Sequence, residues 1–213
     1  NQINLSRREH ILTIEDPVEF IFTPDKSVIS QREVNVDTPN FAQALKAALR
    51  EDINVVLVGE IRDLESISVA LTLAETGHLI FATLHTNDAA QSVDRIVDVF
   101  PAQQQNQIRS QLASVLVGVV SLRLLPKTGG GRIPAYEIMV ANHAVRNVIR
   151  ENKVYEINNI IHTSAEEGMI PLDKTLAQLV KQGIVDLETA QNYVLDNEYF
   201  LSLGLVFCSS TKV

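Results

Sequence analysis

Tryptophan is absent from this 213-residue chain, and cysteine occurs once, at Cys208. With no second cysteine there is no internal disulfide and no thiolate framework for a metal. A reducing, cytoplasmic setting is the expectation. Aromatic residues make up only 5% of the chain, which argues against a platform for stacking bases. The formal net charge is −8, the opposite of a nonspecific nucleic-acid footprint. No apolar run reaches the roughly 18 residues of a membrane-spanning helix, and no secretory-signal pattern is visible. Also missing is G-x-x-x-x-G-K-[ST], the loop that cradles nucleotide phosphates. The stretch KTGGGR (Lys127–Arg132) is no substitute. Its Lys precedes the glycines and no helical pattern follows, so it reads as a turn between two β segments.

Apolar residues account for 46% of the chain, enough for a sizeable core. Three short runs are almost continuously apolar: ILTI (Ile11–Ile14), VVLV (Val55–Val58) and LIFATL (Leu79–Leu84). Strands buried on both faces of a parallel sheet have this composition. Helical patterns separate them. Phe41–Asp52 has Thr38 as its expected N-cap and Pro39 as its first helical residue. Leu64–Gly77 stops at a glycine, and Asp88–Phe100 stops before Pro101. Strand–helix alternation of this kind predicts an α/β core with a mostly parallel sheet. The opening residues NQINLSRREH read as the end of a helix running into a strand. Past Pro101 the pattern predicts another helix, a β hairpin around KTGGGR, and then a compact helical subdomain. The expected division is a core over 1–140, a helical part over 141–198 and a tail of no clear pattern over 199–213.

Ligands of open α/β sheets bind beyond the carboxyl ends of the strands. Each apolar run leads there into polar residues: Glu15, Asp16 and Glu19 after the first, Glu60, Arg62 and Asp63 after the second, His85, Thr86 and Asp88 after the third. Glu60 is the sharpest candidate, because a carboxylate there can orient a water attacking a phosphate. Gly59 beside it leaves clearance near the backbone. The competing reading is a surface ion pair between Glu60 and Arg62, worth about 0–1 kcal/mol. His78 and His85 bracket the third run at an odd spacing. They therefore fall at opposite ends and on opposite faces, which excludes a shared metal. His85 reads as a polar sensor at the rim and His78 as a donor at the strand's start.

Three ordered motifs then resemble those of the type II/IV secretion ATPases, in particular the type IV pilus retraction motors. HILTIEDPVEF resembles their Asp box, VVLVGEIRD their Walker B segment, and AETGHLIFATLHTNDA their His box. The resemblance spans about His10 to Asp196. It implies a RecA-like P-loop NTPase core with a small helical C-terminal subdomain, and a cytoplasmic homo-hexamer hydrolysing ATP with Mg2+ to retract pili in twitching motility. It implies catalytic roles for Glu60, Glu19 and His85, with Mg2+ held through Glu19 and the nucleotide phosphates. Glu15, Asp16, Gly59, Arg62, His78, Arg50 and Arg95 would form the nucleotide neighbourhood. AVRNVIREN resembles the retraction motif and marks Val145, Arg146, Val148, Ile149, Arg150 and Glu151. The implied partner is the inner-membrane pilus platform protein, met at the cytoplasmic face, with no nucleic acid. The phosphate-binding loop of the family is expected upstream of HILTIED, together with a regulatory amino-terminal domain. Ile53 and Asn54 stand where the family usually has Pro and Asp, a change away from the catalytic end. Alternatives are a non-catalytic ring subunit, a pilus-assembly or type II secretion ATPase, and a RecA-like nucleic-acid motor.

Overall fold

The computed structural model describes residues 1–204, so Cys208 and most of the expected tail lie outside the described residues. The chain divides into two compact units. The first comprises residues 1–85 and 94–116. The second comprises 86–93 and the chain from 117 onward. The hairpin expected in a core over 1–140 thus groups with the helical part.

The first unit is built on a four-stranded parallel sheet in the order β2-β1-β3-β4. Its strands are β1 (His10–Glu15), β2 (Val28–Glu33), β3 (Val55–Val58) and β4 (Leu79–Ala82). Leu12 pairs with Val56, Ile14 with Val58, and Val58 in turn with Ala82. Leu12, Ile14, Val56 and Val58 are all 0% exposed and form the sealed face of the sheet. Side chains alternate along a strand, so Ile11, Thr13, Ile29, Val55, Leu57 and Phe81 point to the other face. There α1 (Gln2–Ser6) and a loop beyond β1 give partial cover. Asn4 donates to Thr23 O at 2.9 Å and accepts from Asp25 N at 2.9 Å, pinning that loop to α1. Phe81 on this face stays 46% exposed.

β2 is the strand that apolar runs do not reveal. Its sequence VISQRE is half polar and it sits at a sheet edge, where burial asks for less. Helix α2 (Phe41–Ala48) begins later than its Thr-Pro signal suggests. Asn40, not Thr38, is the N-cap: Asn40 is extended (φ −163°) and its side chain accepts from Gln43 N at 2.8 Å. Pro39 therefore lies outside the helix. α3 (Leu64–Glu75) is capped by Asp63, and α5 (Ala102–Val115) starts just past Pro101. In α4 (Ala89–Asp98), residues up to 93 group with the second unit and the rest with the first.

The second unit joins an antiparallel hairpin, β5 (Gly118–Pro126) and β6 (Arg132–Val140), to the helices α6 (His143–Arg150), α7 (Ile157–Thr163), α8 (Leu172–Lys181), α9 (Leu187–Gln191) and α10 (Asn197–Ser202). KTGGGR is indeed the turn of this hairpin, closed by Lys127 N to Gly131 O at 3.1 Å. Leu125, Ala135, Leu172, Leu176, Val185 and Phe200 make its core. Phe200 is 0% exposed on α10, so the expected patternless tail begins instead with a packed helix. Sequence reading misses it because a six-residue helix shows too little of its period.

Asp88, Glu137 and Asp173 are buried carboxylates of this unit, and the last two are the most enclosed, Glu137 at 3% and Asp173 at 1% exposure. Burial pushes Glu137 and Asp173 above the ordinary carboxyl range. Asp88 and Asp173 push Glu137 further up, against hydrogen bonds from Ala89 N and the Ser121 hydroxyl. For Asp173 the opposing influences are hydrogen bonds from Leu195 N and Asp196 N and the nearby His162.

Two outcomes follow from this packing. A methyl group added at Gly118 would lie 2.7 Å from Met139 O, a backbone atom of the partner strand. Gly118→Ala should therefore destabilise the fold by about 1–3 kcal/mol, read from the urea midpoint. The second concerns pH. A carboxyl whose folded pKa lies above its unfolded value holds its proton more tightly in the fold. Its stabilising contribution is complete below the unfolded value and is lost as pH rises through the folded one. Starting from the ordinary value of 4.5, rising pH should lower wild-type stability relative to Glu137→Gln. Urea unfolding of both chains across a pH series measures that difference, and parallel profiles would contradict it.

Candidate nucleotide site at the sheet rim

Parallel pairing brings the carboxyl ends of β1, β3 and β4 to one rim, and backbone bonds continue past the strands. Gly59 N donates to Ile14 O at 2.8 Å, and Ile61 N to Thr83 O at 3.2 Å. β4 ends at Ala82, earlier than the apolar run does, yet the Thr83 hydroxyl still donates to Gly59 O. The expected clearance at Gly59 turns out to serve the neighbouring strand. A Cβ there would lie 3.2 Å from Ile14 O and 3.4 Å from Glu15 Cα, so the glycine lets β3 run close against β1.

Glu60 follows directly. Its side chain is only 16% exposed and is held from two sides. Oε1 meets His85 Nε2 at 3.0 Å, and Oε2 accepts from Arg62 Nη2. The expected surface pair with Arg62 is present, and the second carboxylate oxygen is left to His85. His85 and Arg62 are themselves well exposed, at 82% and 73% of their side chains. Asp63, the last residue of VVLVGEIRD, has a structural task. It accepts Ser66 N at 2.8 Å and the Ser66 hydroxyl at 2.7 Å at the start of α3. Burial pushes its carboxyl up, but these bonds outweigh it and hold the group below the ordinary range.

The Asp-box residues stand on a loop organised by β2. Glu15 Oε1 accepts the Thr13 hydroxyl at 2.6 Å and Gln31 Nε2 at 3.1 Å. Gln31 also donates to Phe20 O and accepts from Phe22 N, while Glu33 accepts from Val18 N. Asp16 and Glu19 are exposed on this tethered loop, and Glu19 has no polar partner among the described residues. Sequence reasoning passed over Thr13, Gln31, Glu33 and Thr83. Their signal was polarity within or beside strands, which only the pairing partners explain.

Other expected site residues lie elsewhere. His78 Nδ1 is 3.0 Å from Leu73 O and 3.1 Å from the Thr76 hydroxyl, so it caps the end of α3 at the start of β4. That is the opposite end of the strand from His85, in accord with the odd-spacing argument. Arg50 is exposed after α2, on the starting side of β3, and is not brought to the rim beside Glu60. Asn54 also sits at that start. Its side chain accepts His10 N at 2.7 Å, which an amide does as well as a carboxylate. Arg95 is exposed on α4. Among the described residues no three acidic, His or Cys side chains converge on a metal position, and no helix is long and apolar enough to cross a membrane.

In the second unit Asn142 caps α6 by accepting Val145 N at 3.0 Å. Val145, Val148 and Ile149 form its buried stripe, at 0%, 8% and 0% exposure. Beside the stripe, Arg146 Nε donates to Ala141 O at 2.9 Å and Arg150 to the Asn147 side chain at 3.0 Å. Glu151 pairs with Lys153 at 2.7 Å, and that bond keeps the Glu151 carboxyl below its ordinary range. A cavity of about 410 Å3 opens in the same unit, with His162, Asp173 and Asp196 among its walls. None of Glu15, Glu19, Glu60 or His85 lines it.

Comparison with known proteins agrees with this architecture. Residues 1–129 match the model of a family described as type II/IV secretion system protein. The chain is 52% identical over 200 residues to a twitching motility protein of Neisseria gonorrhoeae, covering 93% of this chain and 53% of that protein. It is 50% identical over 189 residues to the type IV pilus retraction ATPase PilT of Pseudomonas aeruginosa, covering 89% of this chain and 55% of the relative. A crystal structure of the pilus retraction motor PilT with bound ADP superposes with a TM-score of 0.85 at 49% identity, covering 93% of this chain and 56% of that one. The chain thus spans about half the length of these relatives. A family match over residues 1–129, a TM-score of 0.85 and half-identical sequence over nine-tenths of its length lead to one conclusion: this chain belongs to the type II/IV secretion system protein family and is PilT-like within it.

Proposed function

We propose that this chain supplies the water-handling side of an MgATP site in a homo-hexameric motor that drives type IV pilus retraction. The observation that carries the reading is Glu60, a largely shielded carboxylate at the end of a central parallel strand, held between His85 and Arg62. A carboxylate offers about four acceptor positions. Glu60 can therefore take a hydrogen from the attacking water while it keeps both partners. Catalysis of phosphoryl transfer is mostly positioning and charge stabilisation. In this division of labour Glu60 orients the water, and His85 senses the γ-phosphate through its tie to Glu60. Arg62 and Arg95 are exposed guanidinium groups suited to phosphate charge, whereas Arg50, at the other end of β3, suits a contact between subunits.

Mg2+ favours one or two carboxylates together with phosphate oxygens and water over a closed protein cage. The rim fits that preference: Glu19, exposed and without a polar partner among the described residues, is the carboxylate to complete such a shell, with Glu15 and Asp16 on the same tethered stretch. The α6 segment, with its buried stripe and flanking Arg146, Arg150 and Glu151, is the element we assign to transmitting the stroke. Its target would be the inner-membrane platform protein of the pilus, reached from the cytoplasmic face.

A chimera tests this, with the present chain replacing the matching part of the Pseudomonas aeruginosa retraction ATPase. The unsubstituted chimera should hydrolyse ATP. Glu60→Gln should still bind a fluorescent ATP analogue but lose turnover by about 10²–10⁴-fold. Turnover at the unsubstituted rate would end the catalytic assignment. The 213-residue chain alone has no G-x-x-x-x-G-K-[ST] loop and should show no measurable hydrolysis. In a strain lacking its retraction ATPase the chimera should restore twitching. Restored pilus assembly without retraction would instead support an assembly motor.

A further inference from the structure

Glu137 has no part in the reading above, yet it is the most enclosed acid next to the His-box segment. It stands on β6 at 3% exposure, and its Oε1 accepts the backbone N–H of Ala89 at 2.8 Å and the Ser121 hydroxyl at 3.5 Å. Ala89 is the first residue of α4 and is itself 0% exposed. The first amides of a helix have no partner within the helix, and a buried one must find an acceptor elsewhere. Glu137 is that acceptor.

The residues just before Ala89 are tied down as well. The Ser92 hydroxyl donates to Asp88 O at 2.9 Å, so its single proton is committed there. Thr86 Oγ1, 2.7 Å away, must then donate to Ser92 Oγ. Asp88 in turn accepts Gln91 N at 2.7 Å and the Gln91 side chain at 2.8 Å. Thr86, Asp88 and Ala89 thus form one anchored turn, and His85 is the residue joined directly to it.

We propose that Glu137 is a positioning residue: by holding the first amide of α4 it fixes the Thr86–Ala89 turn from which His85 projects. The consequence for catalysis rests on the assignment of His85 above, but the clamp itself does not. Glu137 differs in kind from an ordinary helix cap, since it reaches α4 from a strand 48 residues on. It also does so beside two other carboxylates, Asp88 just before α4 and Asp173 on α8, and shares a cavity wall with His162, Asp196 and Glu198.

The test uses the isotope-labelled 213-residue chain without nucleotide, observed by NMR. In the wild type the Ala89 amide proton should shift as acid protonates Glu137. Other carboxylates stand nearby, so the comparison is with Glu137→Gln, in which Oε1 still accepts but cannot titrate. There the acid-dependent shift of Ala89 should vanish and the His85 ring signals should match wild type. Glu137→Ala should speed Ala89 amide exchange about tenfold or more. It should also move the His85 ring signals toward those of Glu60→Gln. A folded Glu137→Ala chain with both signals unchanged overturns the proposal. If that variant does not fold, equal titration of Ala89 in wild type and Glu137→Gln overturns it instead. These signals are read without ATP, so a silent chimera would remove the motor reading and leave the clamp standing, and the reverse holds equally.

Discussion

The backbone bond from Gly59 N to Ile14 O holds the end of β3 against the end of β1, and the rim depends on that closeness. A side chain at position 59 would press on Ile14 O and Glu15 Cα and push the two strands apart. With glycine there, Glu60 leaves β3 just as Glu15 leaves β1, and Thr83 ties the residues beyond β4 back to Gly59 O. Three strand ends are thereby brought to a common edge by main-chain bonds and the single hydroxyl of Thr83. The acidic and imidazole side chains that follow need only point outward to meet.

At that edge the individual contacts are weak and the arrangement is not. An exposed imidazole and an exposed guanidinium each contribute little to stability through a partly shielded carboxylate. What they do is restrict where the carboxylate points, which is the property that water-orienting chemistry requires. The Asp-box loop follows the same logic. Gln31 and Glu33 of β2 spend their hydrogen bonds on backbone atoms of the loop, leaving Glu19 extended into solvent. In the second unit, Glu137 extends this to the far side of the His box by accepting the first amide of α4.

Much of this was legible before any coordinates. Near-continuous apolar runs marked the two central strands β1 and β3, which are covered on both faces, and also β4, which stands at the other edge of the described sheet yet keeps an apolar sequence. His78 and His85 flank the third apolar run, and they do fall at opposite ends of β4. The edge strand β2 was hidden because an edge tolerates polar residues such as Gln31 and Arg32, and those residues look like loop until their partners are known. The start of α2 was misjudged for a related reason. Thr38 and Asn40 are both good caps by type, and only the extended backbone at Asn40, with its bond to Gln43 N, decides between them.

The sequence by itself determined the α/β class, the alternation of β1, β3 and β4 with helices, and which acids follow those strands, since burial periodicity and residue chemistry are local properties. Tertiary structure alone decided what each polar group does. Asp63 became a helix cap, and Arg50 fell on the starting side of β3, away from Glu60 beyond the strand's far end. Glu60 acquired His85, 25 residues away, as a partner, and Glu137 acquired the amide of Ala89. The physical reason is that a hydrogen bond is defined by distance and direction between two groups, and for groups far apart in the chain only the folded backbone supplies both.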